Sequence, residues 1–192
     1  MSDFERPPFF PMMVNLHGKR VIVVGGGNIA SRRADTLLRC GAEVVAVSPE
    51  FCDEFPKNTY RVTREFLPKD IACDVSLVVA ATNNRETNRL IHDTAKALHI
   101  PVNVADSQEE CDFFFPSLIN CGNVSVSVCT AGLSPELTHL LSDRLRKVWA
   151  SWVEREMKEC ITAKGLNNAS SISLTDKIFL SGSTVQNNHK IR

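Results

Sequence analysis

Between Arg20 and Val104, short β-branched apolar runs alternate with longer stretches whose apolar residues recur at helical spacing. The runs are Val21-Ile-Val-Val, Glu43-Val-Val-Ala-Val, Tyr60-Arg-Val-Thr, Val75 to Ala80 and Pro101-Val-Asn-Val. Such alternation predicts βαβ units and a parallel sheet. The first and fourth runs are apolar nearly throughout, as strands covered by helices on both faces must be, so they are expected at the middle of the sheet. Between the runs, Ala30, Ala34, Leu37 and Leu38 form one helical stripe, and Leu90, Ile91, Ala95 and Leu98 form another. These stripes predict the helices that cover the sheet.

The pattern changes after about Cys111. Phe113-Phe-Phe-Pro-Ser-Leu-Ile is a dense aromatic run, and Val124-Ser-Val-Ser-Val-Cys alternates apolar with small polar residues, as a strand with one buried face does. Ser134-Pro135-Glu136 then supplies an N-cap, a proline at the first helical position and an acid in the first turn. Leu137, Leu140, Leu141, Leu145 and Val148 continue at helical spacing, and Trp149, Trp152, Val153, Met157 and Ile161 extend the pattern towards a glycine stop at Gly165. Beyond it the chain is rich in Ser and Asn, with too few apolar residues for a core. The expected organisation is a doubly wound α/β domain over 1–112, a small second element over 113–146, a helical segment over 147–166 and a tail over 167–192.

Composition narrows the partners. Lysine plus arginine number 22 and aspartate plus glutamate also number 22, so no basic excess is present to hold a nucleic acid or an anionic membrane. The longest apolar runs are far shorter than the roughly 20 residues a membrane helix requires, and the first residues carry acids and prolines where a secretory signal needs a basic and then an apolar stretch. A cytoplasmic protein is expected. The seven cysteines include no Cys-x-x-Cys pair and the five histidines are scattered, so reduced thiols are expected and no metal site.

Candidate chemistry begins at Val21-Ile-Val-Val-Gly-Gly-Gly-Asn-Ile-Ala. A buried strand there enters Gly25-x-Gly27-x-x-Ala30, the glycine fingerprint of a Rossmann dinucleotide-binding turn, and a helix follows. Gly25 permits the tight turn, Gly27 lets a pyrophosphate approach, and the amides of Asn28 and Ile29 point at it from the positive end of the helix. The second strand lacks the usual closing acid. Ser48, Pro49 and Glu50 follow it instead, with Ser48 and Glu50 as candidate ribose contacts, and no Arg or Lys is near for a 2′-phosphate, which favours NAD. At the carboxyl ends of later strands, Thr82 and Asn83 are candidates for the nicotinamide half, and Asp106, which closes Pro101-Val-Asn-Val-Ala-Asp, is the candidate catalytic group or a carboxylate capping the turn at Ser107. Asp70, Asp74 and Asp93 read as solvated charges.

With these residues placed, the chain resembles the precorrin-2 dehydrogenase family, including the amino-terminal part of bifunctional siroheme synthases, from about Phe10 to Trp149. The resemblance is carried by Pro11-Met-Met-Val-Asn-Leu, the glycine turn, Ala80-Ala-Thr-Asn, Pro101-Val-Asn-Val-Ala-Asp, Phe113-Phe-Phe-Pro-Ser and Thr130-Ala-Gly-Leu-Ser-Pro-Glu-Leu. It implies NAD-dependent oxidation of precorrin-2 to sirohydrochlorin, with Asp106 in acid/base chemistry, the element over 113–146 as a dimerisation domain, and a homodimer whose sites draw on both chains. It also implies tetrapyrrole contacts at Thr130, Ser134 and His139, where His139 stands in place of a frequent arginine, and a contribution from Arg144, Arg146 or Lys147. Some relatives also insert iron, so a combined dehydrogenase and ferrochelatase is one alternative; a non-catalytic NAD(H)-sensing module is another.

Overall fold

The computed structural model describes residues 9–122, 124–130 and 132–163. They divide into two compact units, one ending at Phe115 and one beginning at Pro116. The expected tail over 167–192 and the end of the expected helical segment lie outside the described residues.

The first unit is a five-stranded sheet of β1 (Arg20–Val24), β2 (Glu43–Ser48), β3 (Tyr60–Thr63), β4 (Val75–Ala80) and β5 (Val102–Val104), in the order β3-β2-β1-β4-β5. All neighbouring pairs are parallel. This is the doubly wound, Rossmann-like α/β arrangement, with the two most apolar strands side by side in the middle. Strand side chains point alternately to opposite faces, and both faces are covered. Val21 and Val23 pack with Ala30, Ala34 and Leu37 of α1 (Asn28–Arg39), whereas Ile22 and Val24 pack with Ile91 and Ala95 of α2 (Arg85–Ala97). Burial of an aliphatic side chain contributes about 1.5–3 kcal/mol, so this two-sided core is what holds the strand ends in register.

Two expectations need correction. The buried stripe of α2 is Asn88, Ile91 and Ala95, and Leu90 and Leu98 are 46% and 42% exposed. Leu90 lies off the stripe, and Leu98 is the residue that ends the helix. Nor is Asp70 solvated. It closes a short 3-10 turn (Pro68–Asp70), accepts the Leu67 amide at 2.9 Å and takes Arg64 through both oxygens at 2.5 and 2.7 Å. The hydrogen bonds from Arg64 hold its carboxyl below the usual carboxylate range.

The second unit pairs β6 (Ser117–Cys121) with β7 (Val124–Val128) in antiparallel register, against α3 (Pro135–Ala163). β6 was not expected as a strand, because its apolar content is the short Leu118-Ile119. The expected boundary between 146 and 147 falls inside α3, which runs through it without interruption; no glycine or proline interrupts the apolar period there. The first unit likewise extends past 112, since Phe115 packs against its core and the Asn103 side-chain amide donates to the Phe113 carbonyl at 2.6 Å. No described helix is long and apolar enough to cross a membrane.

Candidate active site

Strand register builds one working edge. Val47, Val24, Ala80 and Val104 lie in a row across β2, β1, β4 and β5, so the segments that leave these strands emerge on the same rim. On that rim the three successive glycines do different things. Gly25 has φ +122°, and a Cβ there would collide with the Ala81 carbonyl. A Cβ on Gly26 would meet the Glu50 carbonyl, because the segment after β2 is strapped to the turn by the Cys52 amide donating to Gly26 O at 2.8 Å. A Cβ on Gly27 would meet nothing within 4 Å. Gly25 and Gly26 are therefore required by the fold, and Gly27 leaves room.

That room lies at the start of α1. Gly27 is its N-cap, without a side-chain cap, and the first turn carries no acid. The first amides of a helix have no intrahelical acceptor, so the exposed Asn28 and Ile29 present donors and a positive dipole end. An anion such as a pyrophosphate fits this open turn. Ser48 is buried against the glycine turn, its hydroxyl 2.8 Å from where a Gly26 Cβ would stand, while Pro49 and Glu50 are exposed beside it.

The loop after β4 is built more firmly than the sequence suggests. Asn88, fully buried on α2, accepts the Thr82 amide at 3.1 Å and donates to the Thr82 carbonyl at 3.1 Å, and its Oδ1 lies 2.7 Å from the Thr82 hydroxyl. The Asn84 side chain caps α2 by accepting the Thr87 amide at 2.9 Å. Thr82 is thus used in shaping the loop, and Asn83 is the candidate left exposed at its tip. Asn88 was missed because it reads as one polar position on a helix; only the fold brings it under Thr82.

Asp106 lies two residues past β5, exposed, with one carboxylate oxygen 3.2 Å from Arg85 Nη1. Arg85 also donates to Glu110, and this hydrogen bond to Glu110 is the main reason that its guanidinium is held above its ordinary value. Neither Arg85 nor Glu110 carries a signal in the sequence.

The candidates in the second unit are engaged locally. The Ser134 hydroxyl accepts the Leu137 amide at 3.1 Å as the cap of α3, and the Thr130 hydroxyl lies 2.9 Å from that of Thr138. His139 is exposed on α3. Of the basic candidates, Arg146 is taken up by Asp143 and Ser117, each at 2.9 Å, while Arg144 and Lys147 are exposed.

The siroheme synthase of Nitrosospira multiformis is 38% identical over 146 residues, covering 71% of this chain and 31% of its own length. That of Photorhabdus laumondii is 35% identical over 172 residues, covering 81% and 36%. The chain thus spans about a third of the length of these curated relatives. Among solved structures, SirC, a precorrin-2 dehydrogenase, superposes with a TM-score of 0.65 at 25% identity, over 85% of this chain and 84% of that one. Residues 12–117, more than half of the sequence and including the glycine turn and Asp106, match the family described as putative NAD(P)-binding, and the chain belongs to that family.

Proposed function

We propose that this protein is an NAD-dependent dehydrogenase that oxidises precorrin-2 to sirohydrochlorin. The observation that carries the reading is the shared rim: an open, uncapped glycine turn suited to a pyrophosphate and a carboxylate at the end of β5 leave the sheet on the same edge. The likeness to siroheme synthases and to a precorrin-2 dehydrogenase that matches over most of both chains supplies the substrate class.

Gly27 and the amides of Asn28 and Ile29 hold the pyrophosphate, Ser48 and Glu50 lie at the adenosine ribose, and Asn83 faces the nicotinamide end, with Thr82 shaping its loop. NAD, when bound, supplies the hydride acceptor. Loss of a hydride leaves a proton to be removed, and Asp106 takes that proton from the macrocycle. Thr130, Ser134, His139 and the exposed Arg144 and Lys147 are the proposed substrate contacts of the second unit. A homodimer is part of this reading. Leu137, Leu141, Val148 and Trp152 form one stripe along α3 and are 42%, 39%, 50% and 46% exposed, a pattern that suits burial against a second copy.

Purified protein mixed with precorrin-2 and NAD should generate NADH absorbance together with the sirohydrochlorin spectrum. A folded protein that gives neither rejects the proposal. Sedimentation equilibrium should give twice the chain mass, and a monomer at micromolar concentration would reject the dimer.

A further inference from the structure

The turn that carries Asp106 is held from within. The Cys111 sulfur accepts the Val104 amide at 3.2 Å and the Asn103 side-chain amide at 3.4 Å, and its proton has the Val104 and Ser107 carbonyls at 3.2 and 3.3 Å. Burial pushes this thiol up, so it retains the proton it donates. Asp112 closes the far end by accepting the Val102 amide at 3.0 Å and the Lys96 ammonium at 2.8 Å. The backbone from 104 to 112 is thereby tied to β5. None of these bonds reaches the Asp106 carboxylate, which is 38% exposed.

Arg85 does reach it, with Nη1 3.2 Å from one carboxylate oxygen. As the first residue of α2 it is 21 positions away in sequence, and its fork spans the turn, with Nη1 on Asp106 and Nη2 on Glu110. A cation is unfavourable at a helix N-terminus, where the dipole is positive, and the two carboxylates offset that. Glu110 in turn has its Oε2 buried without a hydrogen-bond partner among the described residues, so Arg85 also balances a partly buried charge.

We propose that Arg85 is a positioning residue for Asp106: it fixes the orientation of the carboxylate on the cofactor rim, and Glu110 anchors the guanidinium that does so. The kinetic consequence rests on the dehydrogenase reading; the placement does not. A fork can hold two carboxylates at once, whereas a lysine ammonium offers only a point charge, so lysine should replace Arg85 in part.

The test compares Arg85→Gln, Arg85→Lys and, as a control on the same helix, the exposed Arg89→Gln. Misplacing a reacting group by an ångström costs up to about 100-fold, and a partly exposed pair constrains less than that, so Arg85→Gln should lower kcat about tenfold with NAD affinity within about twofold. Arg85→Lys should recover part of the loss, and Arg89→Gln should change neither. In substrate-free protein, the Asp106 carboxyl 13C resonance, identified by its disappearance in Asp106→Asn, should move in Arg85→Gln and stay in Arg89→Gln. An Arg85→Gln/Glu110→Gln protein, which removes the partly buried Glu110 charge together with its cation, should show the same movement even if the single variant folds poorly. An unmoved resonance, or a kcat equal to wild type, overturns the proposal. If wild-type protein fails to oxidise precorrin-2, the dehydrogenase reading falls, and the resonance still decides whether Arg85 positions Asp106.

Discussion

The glycine turn and the Asp106 turn sit on one rim and are built by opposite means. At Gly25 to Ile29 the fold removes side chains: two glycines let the backbones of Ala81 and Glu50 come close, and a third leaves the helix end open. At Asp106 the fold adds side chains, with Cys111 and Asp112 pinning the backbone and Arg85 with Glu110 bracing the carboxylate. A phosphate needs space and amides, which backbone alone supplies; a proton acceptor needs a group held in one orientation, which demands partners. Damage to the first turn should therefore appear as lost binding or lost fold, and damage to the second as lost turnover.

The largest separation should come from Asp106→Asn, which keeps the size of the side chain and removes the proton acceptor. Turnover should fall by roughly 10³-fold while NAD affinity, measured by titration calorimetry, stays within about twofold of wild type. Next is Gly26→Ala. Its Cβ would press into the Glu50 carbonyl, backbone that cannot rotate away, so a denaturant melt should show a loss of about 2–3 kcal/mol. Gly27→Ala meets no atom of the protein, so its melting temperature should barely change, whereas NAD should bind about 30-fold more weakly, or about 2 kcal/mol. Equal stability losses in the two alanine variants would contradict the division of labour among the glycines.

The smallest effect serves as a control outside both turns. Asp70→Asn removes a carboxylate whose pKa is lowered in the folded protein, mainly by its hydrogen bonds from Arg64, and should cost about 1 kcal/mol at neutral pH with NAD affinity intact. A depressed folded-state pKa means that the contribution is fully present above the unfolded value of about 3.9 and disappears as pH falls through the folded one. The stability difference between wild type and Asp70→Asn should thus shrink only below about pH 4. A gap that is the same at pH 7 and well below pH 3 would exclude the ion pair as its cause.

What the sequence made legible follows the same division. The five strands, the central place of the first and fourth, the two-sided core and the glycine turn depend on local spacing, and the position of Asp106 just past β5 follows from the run Val102-Asn-Val-Ala-Asp. The bracing of that acid was hidden, because Arg85 and Glu110 are separated by 25 positions and meet only when α2 packs beside β5. Asn88 was hidden in the same way: a buried asparagine under a loop has no local signature. In the second unit α3 runs unbroken through the boundary expected between 146 and 147, because no helix-breaking residue stands there.

The most direct measurement is a crystal structure of the protein with NADH and sirohydrochlorin. The expected result is a pyrophosphate on the amides of Asn28 and Ile29 above Gly27, with an Asp106 oxygen within about 3 Å of the macrocycle or one water away. A pyrophosphate bound elsewhere, or an Asp106 carboxylate turned from the tetrapyrrole, would contradict the single-rim site.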